Sequence, residues 1–341
     1  MKKLLALVIF TSMLSAAAFA AGGSGGQSGP LSFKPEDIGF VAGKTLTLVV
    51  PGKPGGGSDL AIRYYAQALT DIYGLKTTVT NYSSKTIGHQ MTANAKPDGT
   101  TLTLATGALN IQYITGNADI DPMKDFTLVA CMQDNGYSTL AVPANAPYDT
   151  FAGFVEYVKA HPGTVNVGMP ASGANTFLFG QIATALDLKM NSVECASESD
   201  RLTNLAGGFI DIGVVGVGNA LEYEKAGKLK VLGTVASDGT TVAGYPKPLP
   251  DNYKTLQEQG FKDCYFNVYH YLLGPAGMNP DQVAKMNVAM EKIYEATKDK
   301  IATIGNIPGW HNLEDSQKIR EAEYNQLVRV GKAIGLYAQG E

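Results

Sequence analysis

The sequence predicts an α/β protein of two globular domains, and three observations predict it. From Lys44 onward, short apolar runs alternate with stretches whose apolar residues recur at helical spacing. Turn signals separate them, as at Pro97-Asp98-Gly99, Asn145-Ala146-Pro147 and His161-Pro162-Gly163. A chain of 341 residues with 45% hydrophobic content can bury two sizeable cores. Strand–helix alternation of this kind implies largely parallel sheets with helices on their faces, and a cleft where the two domains meet. No repeat of fixed period is present.

The first segment stands apart from that fold. Lys2 and Lys3 precede an apolar run over residues 4–19 that ends in Ala18-Phe19-Ala20, the pattern of a secretory signal peptide cleaved after Ala20. The run is short and includes Thr11, Ser12 and Ser15, which argues against a membrane anchor. Residues 21–43 read as a flexible Gly/Ser-rich tether and a lead-in. Strands are predicted at 45–50, 76–80, 101–105, 126–132, 138–142, 164–168, 190–194, 210–215, 229–235 and 268–274. Helices are predicted at 59–73, 86–95, 150–160, 175–187, 199–207, 218–226, 253–259, 280–298 and 314–335.

The most informative stretch joins the first strand to the first helix: Pro51-Gly52-Lys53-Pro54-Gly55-Gly56-Gly57-Ser58-Asp59. Ser58 or Asp59 is placed to cap the helix. Strand, glycine turn and helix N-terminus together offer backbone N–H groups and the positive end of a helix dipole to an anion. Glycines 55–57 carry no side chain and let a ligand approach the backbone. Lys53 is the only cation of the turn, and Asp59 suits a cap and orienter, since like charges repel. Residues 168–177 form a second strand–turn–helix junction, with Ser172, Gly173 and Asn175.

Charge and cysteines narrow the class. Without residues 1–20 the chain loses two of its 27 basic residues and none of its 31 acidic ones, leaving 25 against 31, a net charge of −6. An acidic exported chain without basic clusters is a poor partner for nucleic acid or anionic membrane, so an anion must be held by local geometry. Cys131, Cys195 and Cys264 allow one disulfide and a free thiol, or three buried thiols, and fit no zinc spacing. Glu194, Glu198 and Asp200 read as a solvated acidic loop, with Arg201 beside them available to a distal carboxylate. The histidines are scattered, without H-E-x-x-H or a paired acid. No catalytic residue, metal site or cofactor is read, and the chain is expected not to be an enzyme.

Several segments, in order and with similar spacing, resemble the solute-binding proteins of tripartite tricarboxylate transporters, the TctC or Bug family. Pro51 to Arg63 is similar to P-F-x-P-G-G-x-T-D-x-x-A-R, and Ala95-Lys-Pro-Asp-Gly-Thr-Thr-Leu102 to A-x-P-D-G-Y-T-L. Asp121-Pro-Met-Lys-Asp-Phe-Thr127 resembles D-P-x-K-D-F-T, and His161-Pro-Gly-Thr-Val-Asn-Val-Gly168 resembles N-P-G-K-L-N-Y-G. Leu205-Ala-Gly-Gly-Phe-Ile-Asp211, Ala226-Gly-Lys-Leu229 and Leu272-Leu-Gly-Pro-Ala-Gly277 resemble L-x-G-G-x-V-D, A-G-K-L and L-L-A-P-A-G. The resemblance implies a type II periplasmic binding fold: lobe 1 from residues 44–136 and 272–341, lobe 2 from 137–271, and crossover strands near 132–140 and 268–273. It implies capture of a small carboxylate, pinched between residues 51–59 and 168–177, in the periplasm, and delivery to a permease of one large and one small membrane subunit. The chain is expected to act as a monomer.

Departures from the family pattern bear on the ligand. Gly52 replaces an aromatic, and Tyr82-Ser-Ser-Lys85-Thr86 stands for a longer glycine-rich loop, with Tyr82 and Lys85 facing the cleft. In the second turn Pro170, Ser172, Gly173, Ala174, Asn175 and Thr176 are expected at the ligand, the carboxylate contacts falling to Ser172, Asn175 and Thr176. Val215, expected among the ligand-binding residues, stands where an aspartate is common, which disfavours an amino acid, and Tyr269 is a candidate cleft wall. Two rival readings are a ligand-sensing subunit for a sensor kinase and an exported nucleotide- or phosphate-using enzyme. Against the enzyme, the turn lacks G-x-x-x-x-G-K-[ST], and Gly55-x-Gly57-x-x-Leu60 breaks the dinucleotide fingerprint.

Overall fold

The computed structural model describes residues 34–134, 136–245 and 247–339. The expected signal peptide and most of the expected tether lie outside the described residues. The described lead-in forms a 3-10 turn, Pro35–Ile38, and Ile38 and Phe40 join the first core.

The chain runs β1 (Thr45–Val50), α1 (Gly57–Tyr73), β2 (Lys76–Asn81), α2 (Lys85–Ala93), β3 (Thr101–Thr106), α3 (Gly107–Ile114) and β4 (Phe126–Asp134). It continues through β5 (Ser138–Pro143), α4 (Phe151–Ala160), β6 (Asn166–Met169), α5 (Ala174–Leu186), β7 (Asn191–Glu194), α6 (Glu198–Ala206), β8 (Ile212–Gly216), α7 (Val217–Lys225) and β9 (Leu229–Val235). It closes with β10 (Tyr269–Pro275), α8 (Pro280–Thr303), β11 (Ile307–His311) and α9 (Leu313–Ala333). Ten predicted strands and eight predicted helices have counterparts here. The helix predicted at 253–259 does not form: Thr255 bridges to Thr234 of β9, and Glu258 accepts from the Thr255 amide. Tertiary pairing wins there over a local helical pattern.

Two mixed sheets result, ordered β11-β4-β10-β3-β1-β2 and β7-β6-β8-β5-β9. Four pairings are parallel and five antiparallel, which corrects the expectation of largely parallel sheets. The cause is the direct passage between sheets. The chain leaves β4 at Asp134 and enters β5 at Ser138 without a helical crossover, so β5 runs against both its neighbours. It returns between Val235 and Tyr269, and β10 runs against β3 and β4.

Each sheet carries its own core. Leu48, Val50, Ile62, Leu69, Met286 and Met290 pack around the first, and Leu140, Phe151, Val167, Phe177 and Ile212 around the second. Helix α9 serves both: Leu313 packs in the first core, whereas Leu327 and Val330 belong to the second. Cys131, Cys195 and Cys264 are buried and unpaired, as small apolar side chains often are. A thiol reagent is expected to spare the native protein and to modify three thiols per chain after denaturation; labelling of the native state would contradict this packing.

Candidate functional site

In each sheet three parallel strands repeat one pattern. The chain goes from β1 through α1 to β2, then back past β1 through α2 to β3, giving the order β3-β1-β2; β6, β7 and β8 repeat it as β8-β6-β7. The switch in direction opens a crevice outside the carboxyl end of the central strand, the usual ligand position in such sheets. Helices α1 and α5 start there, so the two turns singled out in the sequence occupy equivalent positions in the two sheets.

Capping separates these helices from the rest. Helices α2, α3, α4, α6, α8 and α9 carry side-chain N-caps from Ser84, Thr106, Thr150, Ser197, Asn279 and Asn312. Helices α1, α5 and α7 have glycines 56, 173 and 216 at the N-cap position, with no side-chain cap. At α7 the gap is filled from elsewhere: Glu198 Oε1 accepts from the Gly216 amide at 2.9 Å and from Asn219 Nδ2 at 2.8 Å. The first amides of α1 and α5 thus keep their donors free for an anion.

The first turn is held from within. Helix α1 begins at Gly57, two residues before the expected start, and neither Ser58 nor Asp59 is its cap. Asp59 lies inside the first helical turn, 3% exposed. Its Oδ2 accepts from the Gly55 amide at 2.8 Å and Arg63 Nε at 3.0 Å, and its Oδ1 accepts from Asn81 Nδ2 at 2.8 Å. Burial would raise the Asp59 carboxyl, but the bonds from Arg63, Gly55 and Asn81 outweigh it and hold the group below the usual carboxylate range. Asp59 therefore organises the turn. Gly55 has φ +84°, a conformation glycine takes without strain. A Cβ at Gly57 would meet nothing within 4 Å, and at Gly56 only the Lys53 carbonyl at 3.7 Å. Packing within the chain does not demand glycine at either position. Gly52 and Ser58 are half-buried, and Lys53 and Pro54 are exposed on the turn.

The end of β2 packs onto this turn. The Tyr82 amide donates to the Val50 carbonyl at 2.9 Å, and Asn81 Nδ2 also reaches the Gly52 carbonyl at 3.3 Å. Gly88 lets α2 lie against Pro51: a Cβ there would come within 2.9 Å of Pro51 Cα. Tyr82 is half-buried and Lys85, the first residue of α2, is exposed.

In the second turn Gly173 has φ 152° and ψ −176°, a region almost confined to glycine. Ser172 and Ala174 are exposed and Pro170, Gly173 and Asn175 half-buried, with α5 starting at Ala174. Thr176 is turned inward. Its hydroxyl donates to the Pro170 carbonyl at 2.6 Å, and its side chain lines a mostly apolar cavity of about 300 Å³ shared with Met169, Phe179 and Ile334. A more open groove of about 750 Å³, between Met123, Phe126, Val283 and Leu313, shares no residue with either turn.

Three expected roles change. Val215 is fully buried in a core with Leu205, Val217 and Val231, so its side chain packs there and cannot face a solute. Arg201 is also buried, donating to the carbonyls of Val214 and Cys195, and is not available to a distal carboxylate. Of the acidic loop, Asp200 completes the cap of α6 and Glu198 that of α7. Tyr269 sits where the chain re-enters the first sheet, half-buried, with its ring centroid 6.2 Å from that of His311 and 6.4 Å from that of Tyr271. The sequence reading missed α3, which follows directly on β3. It also missed Gly88. Among the described residues no group of histidine, cysteine or acid side chains is arranged to hold a metal ion, and no helix is long and apolar enough to cross a membrane.

Comparison with known proteins agrees with this architecture. The chain is 26% identical over 295 residues to the UPF0065 protein in the TAR-I ttuE-ttuC' intergenic region of Agrobacterium vitis, covering 85% of this chain and 83% of that one. It resembles the solved structure of a TctC solute-binding protein from Polaromonas, with a TM-score of 0.71, 21% identity, and coverage of 86% and 99%. It also resembles an R. palustris protein solved with adipate, with a TM-score of 0.65, 22% identity, and coverage of 86% and 98%. Residues 61–336 match the tripartite tricarboxylate transporter family receptor, and the chain belongs to that family.

Proposed function

We propose that the exported protein captures a small carboxylate of the di- or tricarboxylate class between two lobes, 44–136 with 272–341 and 137–271. It acts in the periplasm as a monomer and passes its ligand to a permease with a large and a small membrane subunit. The observation that carries this reading is the pair of glycine-started, uncapped helix N-termini at equivalent switch points of the two sheets. Side chains cap or fill the N-termini of the other α-helices, so free amides are kept at the two turns that would hold a bridging ligand. The adipate held by the R. palustris neighbour is a dicarboxylate and supports the class. Charge-assisted hydrogen bonds contribute about 1.5–3 kcal/mol each. Three or four of them supply about 4.5–12 kcal/mol before the cost of immobilising the ligand, the scale on which the roughly 8 kcal/mol of micromolar binding lies. A ligand bridging the lobes shifts the population toward the closed form.

A thermal-shift screen tests this. Among succinate, malate, adipate, citrate and aromatic carboxylates, at least one is expected to raise the melting temperature. At 100 times its dissociation constant it adds about 2.7 kcal/mol. Stabilisation by nucleotides with none by any carboxylate would overturn the reading.

A further inference from the structure

Helix α9 carries a buried carboxyl that neither turn uses. Glu323 is fully buried, and its carboxyl meets two elements of the first sheet's layer. Oε1 accepts from Asn110 Nδ2 of α3 at 3.2 Å; Oε2 accepts from the Tyr269 amide at 3.0 Å and the Tyr271 hydroxyl at 2.7 Å, both of β10. A Cβ on Gly107, the first residue of α3, would come within 2.6 Å of Oε1, so glycine there makes room for the carboxyl.

The position is mechanical as well as polar. Tyr269 is the first residue of β10 after the chain returns, and it pairs in register with Asp134, the last residue of β4 before the chain leaves. Glu323 thus grips the chain where the two sheets are joined. It does so from the middle of a helix whose first residue packs in one core and whose Leu327 and Val330 pack in the other. Bending at the crossings pulls on the Tyr269 amide, the partner that sits at the joint. Three donors suit a carboxylate; a carboxylic acid brings its own proton, which weakens the bonds it accepts and makes Tyr271 or Asn110 reorient to take that proton.

We propose that Glu323 is a proton-operated latch on the hinge: ionised, it ties α9 to β10 and α3 and restrains bending; protonated, it releases them. Burial pushes its carboxyl up to about 7, against the pull of Tyr269, Tyr271 and Asn110, with the charge of Asp134 adding to the rise. The other titratable groups around it are Arg320 on its own helix and Cys131 on β4. His311 of β11 adjoins it through the Tyr269 ring, and α3 contributes only the neutral Asn110. The consequence for ligand affinity rests on the carboxylate-binding reading, whereas the latch operates without ligand.

Small-angle X-ray scattering of the ligand-free protein between pH 6 and 8.5 tests it. The radius of gyration of the wild type is expected to change with a midpoint near pH 7, the high-pH form matching the structure described here. Glu323→Gln is expected to lose the transition. Tyr271→Phe, which removes one bond to the ionised form, is expected to move the midpoint to higher pH. A wild type without a transition, a Glu323→Gln protein that keeps it, or an unmoved midpoint in Tyr271→Phe overturns the latch. A transition in a protein that no carboxylate stabilises leaves the latch standing and removes the binding reading; carboxylate stabilisation without a transition does the reverse.

Discussion

Replacing Gly56 with valine is expected to weaken carboxylate binding by more than 100-fold while leaving the melting temperature almost unchanged. The two halves of this expectation have separate causes. Gly56 has φ −76° and ψ 164°, an extended conformation that a β-branched residue takes readily. A Cβ at that position meets only the Lys53 carbonyl, at an ordinary 3.7 Å. The fold therefore has no objection to valine. A ligand carboxylate seated on the amides of Gly57 and Ser58 would occupy the same space as the new methyl groups. Losing two charge-assisted bonds at about 1.5–3 kcal/mol each exceeds the roughly 2.7 kcal/mol that a 100-fold change requires. Isothermal titration with whichever carboxylate stabilises the wild type, beside thermal melts of both proteins, decides the matter. Unchanged affinity sinks the first turn as the binding site. Gly55 is a poorer probe, because its φ of +84° would strain any replacement and mix folding with binding.

How much of this was legible in the sequence depends on which signal each segment carried. Strands flanked by turn residues and helices with a wide apolar stripe were placed to within a few residues. Helix α3 was missed because Gly107-Ala-Leu-Asn-Ile-Gln-Tyr-Ile starts with glycine directly after an apolar strand and is apolar on most of its surface, so no polar face reveals its period. Its cap, Thr106, was the available clue. Strand β11 contains Pro308 and Gly309, which argue against a strand anywhere but at an edge, and an edge is where it lies. The glycine turns were legible because a strand, a glycine run and a helix start leave few alternatives. Their inner organisation was not. Asp59 could be read as a cap, but its bond to Asn81 joins residues 22 apart and exists only once β1 and β2 pair. Val215 shows the opposite error: a position with meaning in the family pattern carries a side chain that the local core has claimed.

That bond predicts the second large effect. Asp59→Ala is expected to cost about 2–3 kcal/mol of stability, because three donors from Gly55, Arg63 and Asn81 lose a shared charged acceptor. Binding is expected to vanish even well below the melting temperature, since the Gly55 amide then has no partner to set the turn. Asp59→Asn keeps one acceptor oxygen and should fall between. Arg63→Ala should cost under about 1 kcal/mol, its side chain being 48% exposed in the pair. The pH dependence follows the same sign. The Asp59 carboxyl is depressed in the folded state, so its contribution is present above the ordinary aspartate range and is lost as pH falls through the folded value. In denaturant melts from pH 7 down to pH 2 the gap between wild type and Asp59→Ala should therefore narrow as pH falls below the ordinary aspartate range. A constant gap across that range would mean that Asp59 acts by shape and not by charge.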